Sequence, residues 1–266
     1  MFDILQSLSL AGGSENIDYI RATERCVLLL DGSTPLIKSN YATSRFTELF
    51  AKCFFELFEA GESATDAING AIANVYEDFK TCVENNDVGY FPSATLVLAY
   101  MENGKLCIIN IGDSTALVVM KNGKVVRISS DDVPRFDNSV IDRMKQIRSH
   151  TGMDMSDIIA LPEIREMLVK NRGFMNKPDG YRIVAFEMES VGEKDIIRFD
   201  ASKVERIILH SDGFDDLGDE LLSPDANLEQ IYANLRKMEN DDYLMNKYPR
   251  LKVSDDASAV IFTIHG

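Results

Sequence analysis

An apolar run next to an aspartate-containing turn occurs at four separate places in this chain. Three of the runs lead into the turn, and in the fourth an acidic pair precedes the run. Short runs of Val, Ile and Leu bounded by turn residues are typical of buried strands, so each aspartate is expected at the end of a strand. The four segments are residues 27–32, 107–113, 206–213 and 255–264.

The aspartates of these turns predict a metal site if the strand ends meet. A buried carboxylate is costly without a partner, and several converging carboxylates repel one another unless a cation neutralises them. Oxygen ligands without histidine or cysteine favour Mg²⁺ or Mn²⁺. The residues alone therefore predict a carboxylate-lined site for hard divalent cations.

The composition limits the classes of partner. The chain has 266 residues and a formal net charge of −15, which argues against a general nucleic-acid-binding protein because such proteins need a basic face. No apolar run reaches the roughly 18 residues of a membrane helix, and the N-terminus lacks the basic start of a signal peptide. We therefore expect a cytoplasmic protein with no membrane partner and no nucleic-acid partner.

The order of predicted elements indicates an α+β fold. A first strand region covers residues 16–30, and two helices follow over residues 46–58 and 63–83, with Asp87 and Gly89 in the loop after them. A meander of four strands comes next, with strong hairpin signals at Asn103-Gly104 and Asn122-Gly123. The later predicted elements are strands over residues 182–186, 196–199, 204–209 and 253–264 and a helix over residues 227–238. Two antiparallel sheets flanked by helices would bury this many apolar strands.

Residues 130–180 are polar and less periodic than the rest of the chain. We interpret them as a segment that covers the site, and residues 1–266 as a single domain.

The ordered acidic motifs resemble those of the metal-dependent protein serine/threonine phosphatases, the type 2C or PPM family. The matching segments span nearly the whole chain, and residues 171–181 look like a loop of the bacterial-type members. The matches are residues 16–18, 29–32, 92–95, 109–114, 208–213 and 255–258.

The resemblance implies a four-layer αββα sandwich with two central antiparallel β-sheets and two Mn²⁺ or Mg²⁺ ions between them, with a possible third. It implies no catalytic side chain, because a metal-bound water attacks phosphorus. It further implies a role for each of six positions: Asp31 bridges both ions, Gly32 offers its carbonyl oxygen, Asp212 and Asp255 ligate one ion, Asp18 holds a metal-bound water, and Asp113 serves a third, weaker site. Asp256 ranks below Asp255, because many members have asparagine there.

Two positions depart from the family pattern. No histidine follows Asp31-Gly32, and no arginine lies in residues 12–16. Substrate-binding residues are therefore unassigned; Arg21 and Arg25 are candidates, although a solvated strand charge is the simpler interpretation of both.

Three functions remain open at this point. The first is hydrolysis of phosphoserine or phosphothreonine in a phosphoprotein by a metal-dependent phosphatase. The second is a non-catalytic relative that binds metal or partner proteins, which the missing histidine and arginine favour. The third is a phosphatase for a small metabolite.

Overall fold

The computed structural model describes residues 1–34, 42–85 and 91–265, and these contain ten strands and seven α-helices. The strands are β1 (Phe2–Leu10), β2 (Tyr19–Ala22), β3 (Cys26–Gly32), β4 (Ala94–Glu102), β5 (Lys105–Ile111), β6 (Thr115–Met120), β7 (Val125–Ile128), β8 (Ile196–Asp200), β9 (Val204–His210) and β10 (Ala257–Ile264). The helices are α1 (Thr43–Glu59), α2 (Ala64–Asn85), α3 (Asp132–Thr151), α4 (Met155–Ile158), α5 (Pro162–Arg172), α6 (Gly218–Leu221) and α7 (Leu228–Asp241).

The strands form two five-stranded sheets. Sheet one has the order β1-β10-β9-β6-β7 and sheet two the order β2-β3-β4-β5-β8. Every adjacent pair is antiparallel. The predicted Asn103-Gly104 turn joins β4 to β5, and both residues have positive φ, 49° and 73°, as the tight hairpin turns favoured by this dipeptide require.

The two sheets pack face to face through alternate residues of their strands. Val27 and Leu29 of β3 lie in one apolar cluster with Ile207 and Leu209 of β9 and with Phe262 of β10. Each of these side chains is fully buried. Because strand side chains alternate between faces, the intervening residues point outward and need cover from helices.

Helices supply that cover on both outer faces. Leu28 and Leu30 pack against the phenylalanine-rich face of α1 and against α2, and Ile208 packs against Leu228 and Leu235 of α7. Fully burying a side chain of this size contributes about 1.5–3 kcal/mol. The layers are therefore helix, sheet, sheet and helix, which confirms the predicted α+β sandwich.

The start of α2 agrees with its sequence signal. Ser63 accepts a hydrogen bond at 3.1 Å from the backbone N–H of Asp66, which satisfies one of the free N–H groups of the first turn. The loop predicted around Asp87 and Gly89 lies outside the described residues.

Residues 130–180 form helices α3 to α5 with a small apolar core of their own. Met144, Met155, Ile158 and Ile164 are fully buried in it, together with Met245 from the loop after α7.

Two strand predictions were incomplete. The first strand, β1, was not predicted from the sequence. Residues 182–186 were predicted as a strand, but they make only an isolated bridge between Val184 and Ala94. Ile183, Val184 and Ala185 are all buried, so their apolar character reflects burial rather than a strand ladder.

No helix within the described ranges is long and apolar enough to cross a membrane.

Candidate functional site

The predicted acidic turns lie at one end of both sheets. Asp18 immediately precedes β2 and Asp31 is the penultimate residue of β3, and these strands pair with Tyr19 opposite Leu30. In sheet one, Asp212 follows β9 and Asp255 precedes β10. Antiparallel neighbours place the end of one strand beside the start of the next. The four carboxylates therefore come to the same end of the two sheets.

Asp113 lies in the link between the sheets, after β5 and before β6. Asp113 is 6% exposed. The adjacent Gly112 has a φ of +94°, and a Cβ added to it would lie 2.7 Å from the Cβ of Thr95. Only glycine accommodates both the left-handed backbone and this close approach, so Gly112 fixes where Asp113 leaves the strand.

Glycines beside two other aspartates allow similarly close packing. A Cβ on Gly32 would lie 2.5 Å from the carbonyl oxygen of Ile17, and a Cβ on Gly213 would lie 2.0 Å from the carbonyl oxygen of Asp256. The Asp-Gly pairs therefore bring the segment before β2 against β3, and the segment before β10 against the turn after β9.

Asp31 and Asp212 come from different sheets, and their carboxyl groups lie close enough for the charge of one to act on the other. Burial, followed by the nearby charge of Asp212, raises the pKa of Asp31 well above its usual value. Burial and the charge of Asp255 raise the pKa of Asp212 to about 6, although the charge of Lys252 partly opposes the rise. Ionising both carboxylates is therefore unfavourable unless a cation lies nearby.

Asp18 has the least satisfied carboxylate of the group. It is 8% exposed, and neither carboxylate oxygen has a hydrogen-bond partner of standard geometry. Burial raises its pKa to about 7; the Ser258 hydroxyl is near enough to lower it in part, and the charges of Asp256, Asp212 and Asp255 raise it further.

Asp255 and Asp256 are adjacent in the chain but have different contacts. Oδ1 of Asp255 accepts hydrogen bonds from Nζ of Lys252 at 2.5 Å and from the N–H of Asp256 at 2.8 Å. The carboxylate of Asp256 accepts from the backbone N–H groups of Gly12 and Ile17, at 2.8 and 2.7 Å. Asp256 therefore anchors the segment that carries Asp18.

A cavity of about 190 Å³ opens beside these carboxylates and is lined by Asp31, Asp113 and Asp212. A second cavity, of about 240 Å³, adjoins it and is lined by Asp212 and Asp255. Asp212 thus connects the two groups of carboxylates.

Three charged residues of the first cavity were not singled out from the sequence: Asp137 of α3, Arg172 at the end of α5, and Lys252. Burial and the charge of Asp212 raise the pKa of Asp137 to about 6. Arg172 donates a hydrogen bond to the carbonyl oxygen of Thr34, and burial lowers the pKa of its guanidinium. Asp137 and Arg172 come from the segment of residues 130–180, so that segment contributes directly to the cavity wall.

Lys252 is surrounded by the carboxylates. Burial lowers its pKa, but the charges of Asp255, Asp212 and Asp31 outweigh this effect and raise the pKa above its usual value. Its ammonium group is therefore a permanent cation at neutral pH, within the predicted metal cluster.

The arginines proposed from the sequence have other contacts. Arg21 pairs with Glu59 at 3.3 Å and stacks on Phe55, and Arg25 stacks on Phe58. Neither residue, nor any histidine of the described chain, lines the two cavities.

The donor set suits a hard divalent cation. The candidate ligand atoms are carboxylate and carbonyl oxygens, and the buried oxygens of Asp18 have no hydrogen-bond partner, a lack that a bound cation would relieve. Across residues 1–34, 42–85 and 91–265, no three acidic, histidine or cysteine side chains are already arranged around one ion position. Asp255 is instead engaged with Lys252.

Comparison with solved structures finds bacterial phosphatases of the same fold. The catalytic domain of the serine/threonine phosphatase PstP, in complex with two manganese ions, matches with a TM-score of 0.58 at 14% identity, over 100% of this chain and 98% of that one. PstP/Ppp of Mycobacterium tuberculosis matches with a TM-score of 0.57 at 15% identity, over 100% and 99%. Stp1 of Staphylococcus aureus matches with a TM-score of 0.56 at 14% identity, over 99% and 96%.

No curated protein sequence matches the chain significantly. The family model described as protein phosphatase 2C matches residues 11–248, which is most of the chain. This match confirms the resemblance and the prediction of a metal-dependent serine/threonine protein phosphatase at the level of the family. The chain belongs to the protein phosphatase 2C family.

Proposed function

We propose that this protein hydrolyses phosphoserine and phosphothreonine in phosphoproteins with the help of two Mn²⁺ or Mg²⁺ ions, with a weaker third. The observation that supports this most directly is the meeting of acidic strand ends from both sheets, with the buried carboxylate of Asp18 unpartnered. A structural carboxylate would be expected to have hydrogen-bond partners, as Asp256 has.

Each predicted residue has a proposed role. Asp31 would bridge two ions and Gly32 would offer its carbonyl oxygen. Asp212 and Asp255 would ligate one ion, Asp18 would orient a water, and Asp113 would serve the weaker site. When bound, such ions make water a better nucleophile and offset the charge of the transferring phosphoryl group.

Arg172 is the proposed anchor for the substrate phosphate. It lines the same cavity as Asp31 and Asp212, and a guanidinium can bind two phosphate oxygens at once. Its hydrogen bond to Thr34 orients the end of α5 toward β3. We further propose that residues 130–180 cover the site within a single domain, because Asp137 and Arg172 of this segment form part of the cavity wall.

The experiment is a turnover assay of the purified protein on phosphoserine, phosphothreonine and phosphotyrosine peptides and on an aryl phosphate, with Mn²⁺ or with a chelator. We expect Mn²⁺-dependent turnover with preference for phosphoserine and phosphothreonine. Asp31→Asn should lower turnover by more than about 100-fold, because even residues that only orient a metal ligand cost 10–100-fold. Asp225→Asn, at an exposed position, is the matched control.

The alternatives give different results. Mn²⁺ binding without turnover on any substrate would identify a non-catalytic relative. Turnover of small phosphorylated metabolites but not of phosphopeptides would identify a metabolite phosphatase.

A further inference from the structure

Lys252 lies where the two cavities meet. It lines both of them, together with Asp212. Its Nζ is 2.5 Å from Oδ1 of Asp255, and 34% of its side chain is exposed. The ammonium therefore touches a proposed metal ligand from a position between the carboxylates of the two sheets.

This contact occupies one of the two carboxylate oxygens of Asp255. Oδ1 already accepts hydrogen bonds from Lys252 and from the N–H of Asp256. An ion that took Asp255 as a ligand through this oxygen would have to replace the lysine. A unit positive charge this close to a divalent ion would also repel it.

Other paired cations nearby have a different arrangement. Arg236 donates to the backbone carbonyl oxygen of Asp255 and to the carboxylate of Glu239, and Arg250 pairs with Asp242. Neither arginine contacts the carboxylate of Asp255. Both therefore support the chain around Asp255 without competing with an ion for its carboxylate.

We propose that Lys252 is an internal cation that competes with the divalent ion for Asp255, so that metal binding through Oδ1 requires the ammonium to move away. This inference rests on the proposed metal site. The lysine stabilises the metal-free protein by neutralising the carboxylates, and it weakens metal affinity by the same interaction. The flexible stem and the partial exposure of the side chain allow the ammonium to move toward solvent without a change in the backbone.

The test is calorimetric titration of the full chain with Mn²⁺, for the wild type and for Lys252→Met, which keeps the stem and removes the charge. We expect Lys252→Met to bind Mn²⁺ about tenfold more tightly, as the loss of a nearby positive charge predicts. Lys252→Arg, which keeps the charge, should remain near the wild type. Lys237→Met, on the exposed face of α7, controls for the change in net charge.

A second background separates direct competition from a general field effect. In Asp255→Asn, the further change Lys252→Met should raise Mn²⁺ affinity by clearly less than about tenfold, because the competed ligand is gone and only the repulsion between the two cations remains. Melting in chelator provides an independent readout: Lys252→Met should melt below the wild type without metal and gain more from added Mn²⁺.

The outcomes distinguish this inference from the proposed function. Equal or weaker Mn²⁺ binding by Lys252→Met, with a wild type that binds Mn²⁺ and turns over, overturns the role of Lys252 and leaves the phosphatase assignment standing. No Mn²⁺ binding by any of the variants overturns both.

Discussion

The carboxylate of Asp256 accepts a hydrogen bond from the backbone N–H of Ile17, at 2.7 Å. Its second oxygen accepts from Gly12 at 2.8 Å. The residue beside a proposed metal ligand thus anchors the segment that carries Asp18. Chain anchoring and proposed metal binding are assigned to two adjacent aspartates.

Asp256→Ala should destabilise the protein, because two backbone N–H groups lose their charged acceptor. The expected loss is about 2–4 kcal/mol in the free energy of unfolding. Asp256→Asn keeps one acceptor oxygen and should lose less than half of that amount. Urea unfolding of both variants measures the difference, and equal losses would contradict the two-bond anchor.

Asp18→Asn should stabilise the metal-free protein at pH 8 and should stabilise it much less at pH 5. The pKa of Asp18 is raised to about 7 in the fold, so the folded protein holds this proton more tightly than the unfolded chain does. Wild-type stability therefore falls, relative to the variant, as the pH rises from about 4 to about 7. The expected gain at pH 8 is roughly 1–3 kcal/mol.

Unfolding in chelator at the two pH values measures this gain, and the contribution of the buried His210 cancels because both proteins contain it. Mn²⁺ should reverse the order at pH 8. A variant that is equally stabilised at both pH values would show that protonation of Asp18 is not the cause.

Gly213→Ala should be severely destabilising. The added Cβ would lie 2.0 Å from the carbonyl oxygen of Asp256, so the turn after β9 and the segment before β10 must separate, at a cost of about 2–4 kcal/mol. Gly218→Ala is the matched control, since nothing lies within 4 Å of a Cβ there. Thermal unfolding of the two variants should differ by several degrees, and similar melting temperatures would disprove the close contact.

Arg172→Ala should raise the KM for a phosphopeptide by about tenfold or more and leave Mn²⁺ affinity nearly unchanged, because the guanidinium is proposed to bind phosphate and not to hold metal. Lys170→Ala, at an exposed position on the same helix, is the control. Steady-state kinetics with calorimetry separates the two effects. A fall in kcat alone, at constant KM, would argue against phosphate anchoring.

The sequence predicted the aspartates of the site better than their surroundings. Asp31, Asp113 and Asp212 each follow an apolar run that forms a strand, so their position at a strand end was readable. The hairpin signal at Asn103-Gly104 gave the antiparallel pairing. Lys252 lacked any such signal, because a lysine three residues before an aspartate is ordinarily a surface residue, and only the folded chain shows that it points at Asp255.

The missed strand β1 has a physical reason. Its pairing with β10 shifts register between Ile4 and Gln6, and Leu5 at the shift is 51% exposed. The irregularity breaks the alternation of apolar and polar residues that identifies a strand. Asp137 and Arg172 were missed for another reason: they reach the cavity through the packing of α3 and α5, which no local pattern specifies.

The proposed ligands are divided between the sheets, with Asp18 and Asp31 on one and Asp212 and Asp255 on the other. The distance between the two pairs is therefore set by the thickness of the apolar core between the sheets. Side chains such as Val27, Ile207 and Phe262 determine that thickness. A substitution that changes the side-chain volume in this apolar core would alter the distance between the carboxylate pairs without contacting any of them. The width of the site therefore depends on residues in the middle of the sandwich.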